Sequence, residues 1–215
     1  MGRQLHQGAG LPARRTRSPN RTSPECVTLA RGPVSRCRRD LENYRSNLGL
    51  VLRSTGDYAD AADLQQQALA LYRQIGYRLG EANALGNLGH VRERTGDYSD
   101  AACLQQQALT LHREIGNQLG EAEVLNQIGR LLLDAGEPRA ALETFTDALA
   151  LARRIPSRLE QARALEGAAR CRVGLGDVDT AVNELREAVT IYRHLAAPET
   201  DTAATYLATL HPNHR

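Results

Sequence analysis

The chain has 215 residues, 41% apolar and 24% charged, which supplies apolar surface for one domain or a short array. One Phe, seven Tyr and no Trp leave few large aromatic anchors, so packing must rest on small aliphatic side chains. All 27 basic residues are arginine, and without lysine there is no P-loop lysine, no Schiff-base nucleophile and no kinase-type phosphate-pairing lysine, which excludes those enzyme classes.

The formal charge of +2 hides an asymmetry: residues 1–40 carry nine arginines against Glu25 and Asp40, about +7, while residues 41–215 carry 18 arginines against 23 acids, about −5. Residues 1–38 hold Pro12, Pro19, Pro24 and Pro33 and arginine runs such as Arg14-Arg15-Thr16-Arg17, with neither a helical nor a strand period. A disordered Arg/Pro-rich segment is expected there. One reading makes it a passive leader with the start assigned too far upstream. The other makes it an arm whose arginines neutralise nucleic-acid phosphates, although no aromatic residue interleaves with them to stack on bases. No apolar stretch has the length of a signal-peptide core or a membrane span. Cys26, Cys37, Cys103 and Cys171 are scattered, without C-x-x-C or zinc-finger spacing. No membrane, metal, disulfide scaffold or cofactor is therefore expected, and a reducing cytoplasm is the expected location.

From Arg39 to Pro198 the sequence repeats every 40 residues, giving four units at 39–78, 79–118, 119–158 and 159–198. Gly56, Gly96, Gly136 and Gly176 correspond, as do Ala61, Ala101, Ala141 and Ala181, and then Ala68, Ala108, Ala148 and Ala188. Each unit reads as two antiparallel helices, A and B. Helix A of the second unit is expected from about Leu79 to Thr95, with Ala82, Leu85, Leu88, Gly89 and Val91 on one apolar stripe. Gly96 ends it in a left-handed C′ conformation, Asp97 caps helix B, and Asp100 sits in the dipole-favoured first turn. In the third unit Glu137-Pro138 takes over this junction, since proline suits the first helical position. Helix B runs on through Ala101, Ala108, Leu109 and Leu111 to Ile115, and Gly116 closes the unit. Residues 199–210, beginning at Thr200 or Asp201, read as a capping helix, and 211–215 as a tail.

Leu48-Gly49, Leu88-Gly89, Ile128-Gly129 and Ala168-Ala169 on helix A, followed by alanines seven apart on helix B, resemble the tetratricopeptide repeat. The resemblance covers roughly 39–198. It departs in the 40-residue period instead of 34, in Arg73 and Arg113 where the family closes on proline, and in Gln65 and Gln105 at a usually aromatic position that Phe145 and Leu185 fill later. What it implies is an all-α fold, a right-handed α-solenoid of about four helix-turn-helix repeats plus the capping helix. The wording at 79–89, Leu-Gly-Glu-Ala-Asn-Ala-Leu-Gly-Asn-Leu-Gly, is similar to the C-terminal arrays of actinobacterial antibiotic-regulatory and NB-ARC/STAND ATPase regulators. The chain would then be a detached sensor or a fragment of a larger regulator, because the DNA-binding and nucleotide-binding domains of those proteins have no counterpart in it. Eukaryotic LGN/Pins scaffolds share the 40-residue wording, so it marks a binding fold and not a pathway.

In that family the inner face of helix A lines a concave groove. The candidate groove residues are Asn43, Asn47, Asn83, Asn87 and Asn126, whose carboxamides donate and accept together and so suit an extended peptide backbone. One turn further, Leu50, His90, Arg130 and Arg170 correspond, with Arg94 a turn beyond His90; the cations form a candidate strip for carboxylates. The structural alternative is that such asparagines bridge adjacent repeats and such arginines serve solubility. Gln65-Gln66-Gln67 and Gln105-Gln106-Gln107 on helix B are expected to pack or face solvent. With no G-x-S-x-G, no H-E-x-x-H and no Gly-rich phosphate loop, and with His90 and His112 at positions other residue types fill in other units, no enzyme is expected. The expected function is a protein-interaction module holding a partner peptide or helix, with an acidic ligand suggested by the Arg/His strip, in bacterial regulation. The rivals are a transcriptional-regulator fragment with a nucleic-acid arm and a self-associating scaffold.

Overall fold

The computed structural model describes residues 58–210. The expectations for residues 1–38, for the first helix A with Asn43 and Asn47, and for the tail at 211–215 lie outside those residues. Among the described residues there are eight helices and no strand: α1 Tyr58–Ile75, α2 Arg78–Arg94, α3 Tyr98–Glu114, α4 Gln118–Asp134, α5 Pro138–Arg154, α6 Arg158–Gly174, α7 Val178–Leu195 and α8 Thr200–Thr209. The even-numbered helices α2, α4 and α6 are the A helices, the odd-numbered ones are the B helices, and α8 follows as the cap. The five helices α2 to α6 are each 17 residues long and joined by three-residue links, and this is what lengthens the period to 40.

One junction chemistry serves the whole array. At the end of α2 the Gly96 N–H donates to Glu93 O (3.1 Å) and the Asp97 N–H to Arg92 O (2.9 Å), the paired bonds of a Schellman motif, with Gly96 at φ +86°. Asp97 then caps α3 by accepting from the Asp100 N–H at 3.2 Å, and Asn117 and Asp177 cap α4 and α7 in the same way. Pro138 opens α5 as expected. Two junctions lack the glycine: Pro156 (φ +26°) and Ala196 (φ +49°) hold the same place. Since proline has no N–H, the α5–α6 link keeps only the Ser157 N–H to Ala152 O bond of the pair.

Small residues set the packing distance. Ala101, Ala108, Ala141, Ala148, Ala181 and Ala188 of the B helices are all fully buried. A Cβ on Gly129 would lie 2.9 Å from the Phe145 ring, and one on Gly167 only 2.3 Å, so the one phenylalanine of the chain is seated between two glycines of successive A helices. Gln105 occupies the equivalent place one repeat earlier. It is buried, its carbon stem fills the space above Gly89, and its Nε2 donates to Gly86 O at 3.1 Å. Of the two glutamine triplets, Gln65 and Gln105 pack inward while Gln66, Gln67, Gln106 and Gln107 face solvent. His112 is also buried. Burial lowers its pKa, and Nδ1 lies 3.0 Å from the Asn117 carboxamide nitrogen, which fits a neutral ring used for packing.

Candidate functional site

Direct packing between like helices runs along the A row, α2 against α4 and α4 against α6, beside the A–B packing within and between repeats. The A helices thus form the crowded inner row, and residues one period apart on them are lateral neighbours. Arg130 Nη2 on α4 lies 3.3 Å from His90 Nδ1 on α2.

His90, Arg130 and Arg170, expected as a cationic strip, each have a carboxylate of the chain beside them. The Arg130 guanidinium donates to both Glu93 oxygens, Nε at 2.8 Å and Nη2 at 2.7 Å, and His90 Nδ1 lies 3.2 Å from the same carboxylate. Burial works to raise the Glu93 pKa, yet hydrogen bonds from His90 and Arg130 and their charge outweigh it and bring the carboxyl down to about 2. Arg170 donates to Glu166 at 2.8 Å and lies with its guanidinium carbon 4.4 Å from the centre of the Tyr206 ring on α8. Glu166 in turn accepts from the buried Tyr192 hydroxyl at 3.0 Å. Arg94 donates to the Tyr58 hydroxyl at 3.2 Å. Arg130 and Arg170 thus face carboxylates of their own chain, and Arg94 a tyrosine hydroxyl.

The asparagine set divides. Asn126 is only 8% exposed, and its Nδ2 donates to both the main-chain oxygen (3.1 Å) and the carboxylate (2.9 Å) of Glu160 on α6. It bridges repeats instead of lining the groove, for a reason visible in the numbering: the residue one period after Asn87 is Gln127, and Asn126 stands one position off that row. Asn83 is half-buried and Asn87 exposed. Beside them on α4, one period on, stand Glu123 and Gln127. The Gln127 Oε1 is enclosed with no hydrogen-bond partner. Glu123 reaches solvent, but the helices around it crowd it, so that burial first and the charge of Glu160 second raise its carboxyl to about 6 against a smaller opposing effect of Arg163. The nearest guanidinium on α6, that of Arg163, is held by Glu160 at 2.8 Å and Glu199 at 2.7 Å.

On these three neighbouring A helices Asn83, Asn87 and Glu123 reach solvent, Gln127 has its Oε1 enclosed, and several of the charges around them are tied together. Sequence reasoning missed Glu123 and Gln127, which the 40-residue register locates directly from Asn83 and Asn87. It also missed Glu93, Glu160 and Glu166. The i,i+4 spacing of Glu166 and Arg170 and the i,i+3 spacing of Glu160 and Arg163 were readable signals, whereas the Glu93–Arg130 pair depends on how one repeat stacks on the next. Among the described residues no group of three or more His, Cys, Asp or Glu is placed to hold a metal ion, and no helix is long and apolar enough to cross a membrane.

The model of the tetratricopeptide repeat family matches residues 40–114 and again 120–194. The chain belongs to the tetratricopeptide repeat family. No match is found among the curated protein sequences. Among solved structures, this tetratricopeptide chain is similar to a Rap protein complexed with competence and sporulation factor, at 18% identity over 75% of this chain and 46% of that one, with a TM-score of 0.68. The apo form of RapI is similar at 15% identity over 75% and 45% of the two chains, TM-score 0.63. BtubC (BKLC) from P. vanneervenii is similar at 17% identity over 89% and 90%, TM-score 0.64. The chain spans less than half the length of the two Rap proteins. Likeness at these identities is one of fold, and it agrees with an all-α repeat array.

Proposed function

We propose that this tetratricopeptide chain is a non-enzymatic interaction module that holds an extended segment of a partner protein along the inner face of α2, α4 and α6. The observation that carries the reading is the set Asn83, Asn87 and Glu123: polar side chains on adjacent helices for which no hydrogen bond is found among the described residues, in a row whose other charged groups are largely paired. The Asn83 and Asn87 carboxamides can donate and accept together, which suits the alternating N–H and C=O groups of an extended backbone. A regulatory setting in the cytoplasm belongs to the same proposal. It is supported by the wording at 79–89, similar to actinobacterial antibiotic-regulatory and NB-ARC/STAND arrays, and by the likeness to a Rap protein complexed with a competence and sporulation factor. The arginine excess of residues 1–38 supports a second reading, in which that segment touches nucleic acid while the repeats hold the partner.

The test is site-specific photo-crosslinking in the source cells, with a benzophenone amino acid at Asn87 on the inner row and, separately, at Gln106 on an exposed B-helix face. The proposal expects a discrete adduct from position 87 and none from 106. Adducts from 106 alone, or identical adducts from both, would place the partner elsewhere.

A further inference from the structure

The inner row is electrically uneven. Glu93, Glu160 and Glu166 each have an arginine at 2.8 Å or closer. Glu123 has none. Its lateral neighbour on α2 is the neutral Asn83, and its lateral neighbour on α6, Arg163, is directed at Glu160 and Glu199. Glu160 adds negative charge beside it, and one turn along α4 the enclosed Gln127 Oε1 also lacks a donor. Among the described residues Glu123 therefore has no guanidinium paired directly with its carboxylate, and a charge-assisted hydrogen bond to it is left to be made. A carboxylate in the same place would meet Glu123 and Glu160, and the guanidinium groups of Arg130 and Arg170 are already spent on Glu93 and Glu166.

We propose that the partner segment enters through a basic residue, an arginine or lysine whose cationic head pairs with Glu123 while main-chain amides on either side meet Asn83, Asn87 and Gln127. This deepens the groove reading above and rests on it. The selectivity is opposite in sign to that of a groove lined by free arginines: a basic residue is accepted and an acidic one rejected, since placing like charges together is repulsive.

The experiment uses the full chain and labelled nonapeptide pools with randomised flanks and a fixed central Arg, Lys, Gln or Glu, followed by fluorescence anisotropy. The Arg and Lys pools are expected to bind at least tenfold more tightly than the Glu pool. Glu123→Gln is expected to erase that preference, bringing the Arg, Lys and Glu pools within about twofold of one another. A preference for the Glu pool, a basic preference that survives Glu123→Gln, or no binding by any pool overturns the proposal. Two further variants separate its failure from that of the groove reading. If Asn87→Ala weakens all pools alike and no basic preference exists, the groove stands and the role of Glu123 fails. If binding responds to Gln106→Ala and not to Asn87→Ala, the groove itself is the wrong surface.

Discussion

Between α6 and α8 the inner row is closed by its own side chains: Arg163 joins Glu160 to Glu199, Arg170 joins Glu166 to the Tyr206 ring, and Tyr192 completes the set through Glu166. Between α2 and α4 Arg130, Glu93 and His90 are joined as well, but the register position of Arg163 is held by Asn83 on α2 and Glu123 on α4, and among the described residues neither of these makes a side-chain hydrogen bond. Two regions built on one register thus differ in whether their polar groups are consumed. The repeat determines where a side chain sits, and the residues one period and one turn away determine whether it is available. A likeness between repeats therefore locates a groove but does not describe its chemistry.

The comparison can be broken first in the buried layer beneath the row. Phe145 is buried between Gly129 and Gly167, so Phe145→Ala opens a cavity in the later repeats and is expected to cost about 3–5 kcal/mol in urea unfolding. Next comes the closed region itself. Glu160 is 2% exposed and holds both Asn126 and Arg163, so Glu160→Ala leaves Asn126 with only the main-chain oxygen of residue 160 and Arg163 with only Glu199, and should cost about 2–4 kcal/mol, most of it recovered on also replacing Asn126 by leucine and Arg163 by methionine.

The Glu93 cluster gives a smaller effect with a pH signature. Its carboxyl, about 2 in the folded chain against an ordinary 4.5, contributes stability that is complete above about pH 4.5 and is lost as pH falls through about 2. Glu93→Gln should lose about 1–3 kcal/mol at pH 7, the difference from the native chain shrinking below pH 4.5. Smallest is a gain. Gln105 is fully buried with its Oε1 unpartnered, and Leu185 fills the equivalent place two repeats later, so Gln105→Leu should add about 1 kcal/mol.

How much of this could be read in the sequence follows from how local each signal is. The C′ glycines, the Asp97 and Pro138 helix starts, the B-helix alanines and the cap from Thr200 depend on neighbours within a turn or two, and the 40-residue spacing multiplies the signal across units. The helix ends differ from expectation by a single residue at α2, which begins at Arg78 and ends at Arg94. The site was harder. Asn126 shares its residue type with Asn83 and Asn87, but its register partners are Ser46, Gly86 and Glu166; its bridging role needs α6 to be in place. Arg130 looks free along the sequence because its carboxylate is 37 residues away. A cation on an exposed helix face gives no local sign of being neutralised from the next repeat.

If Asn83, Asn87 and Glu123 serve a partner and not the fold, as proposed, the denaturant midpoint at pH 7 of the variant Asn83→Ala/Asn87→Ala/Glu123→Gln, measured beside the native chain, reveals it. Glu123 runs opposite to Glu93: its folded value of about 6 lies above the ordinary 4.5, so ionising it opposes folding, an effect absent below about pH 4.5 and complete above about 6. Alanine is also a better helix former than asparagine. A midpoint equal to or above that of the native chain is therefore expected. A loss of more than about 2 kcal/mol would show that these side chains hold the repeats together and would contradict the proposal.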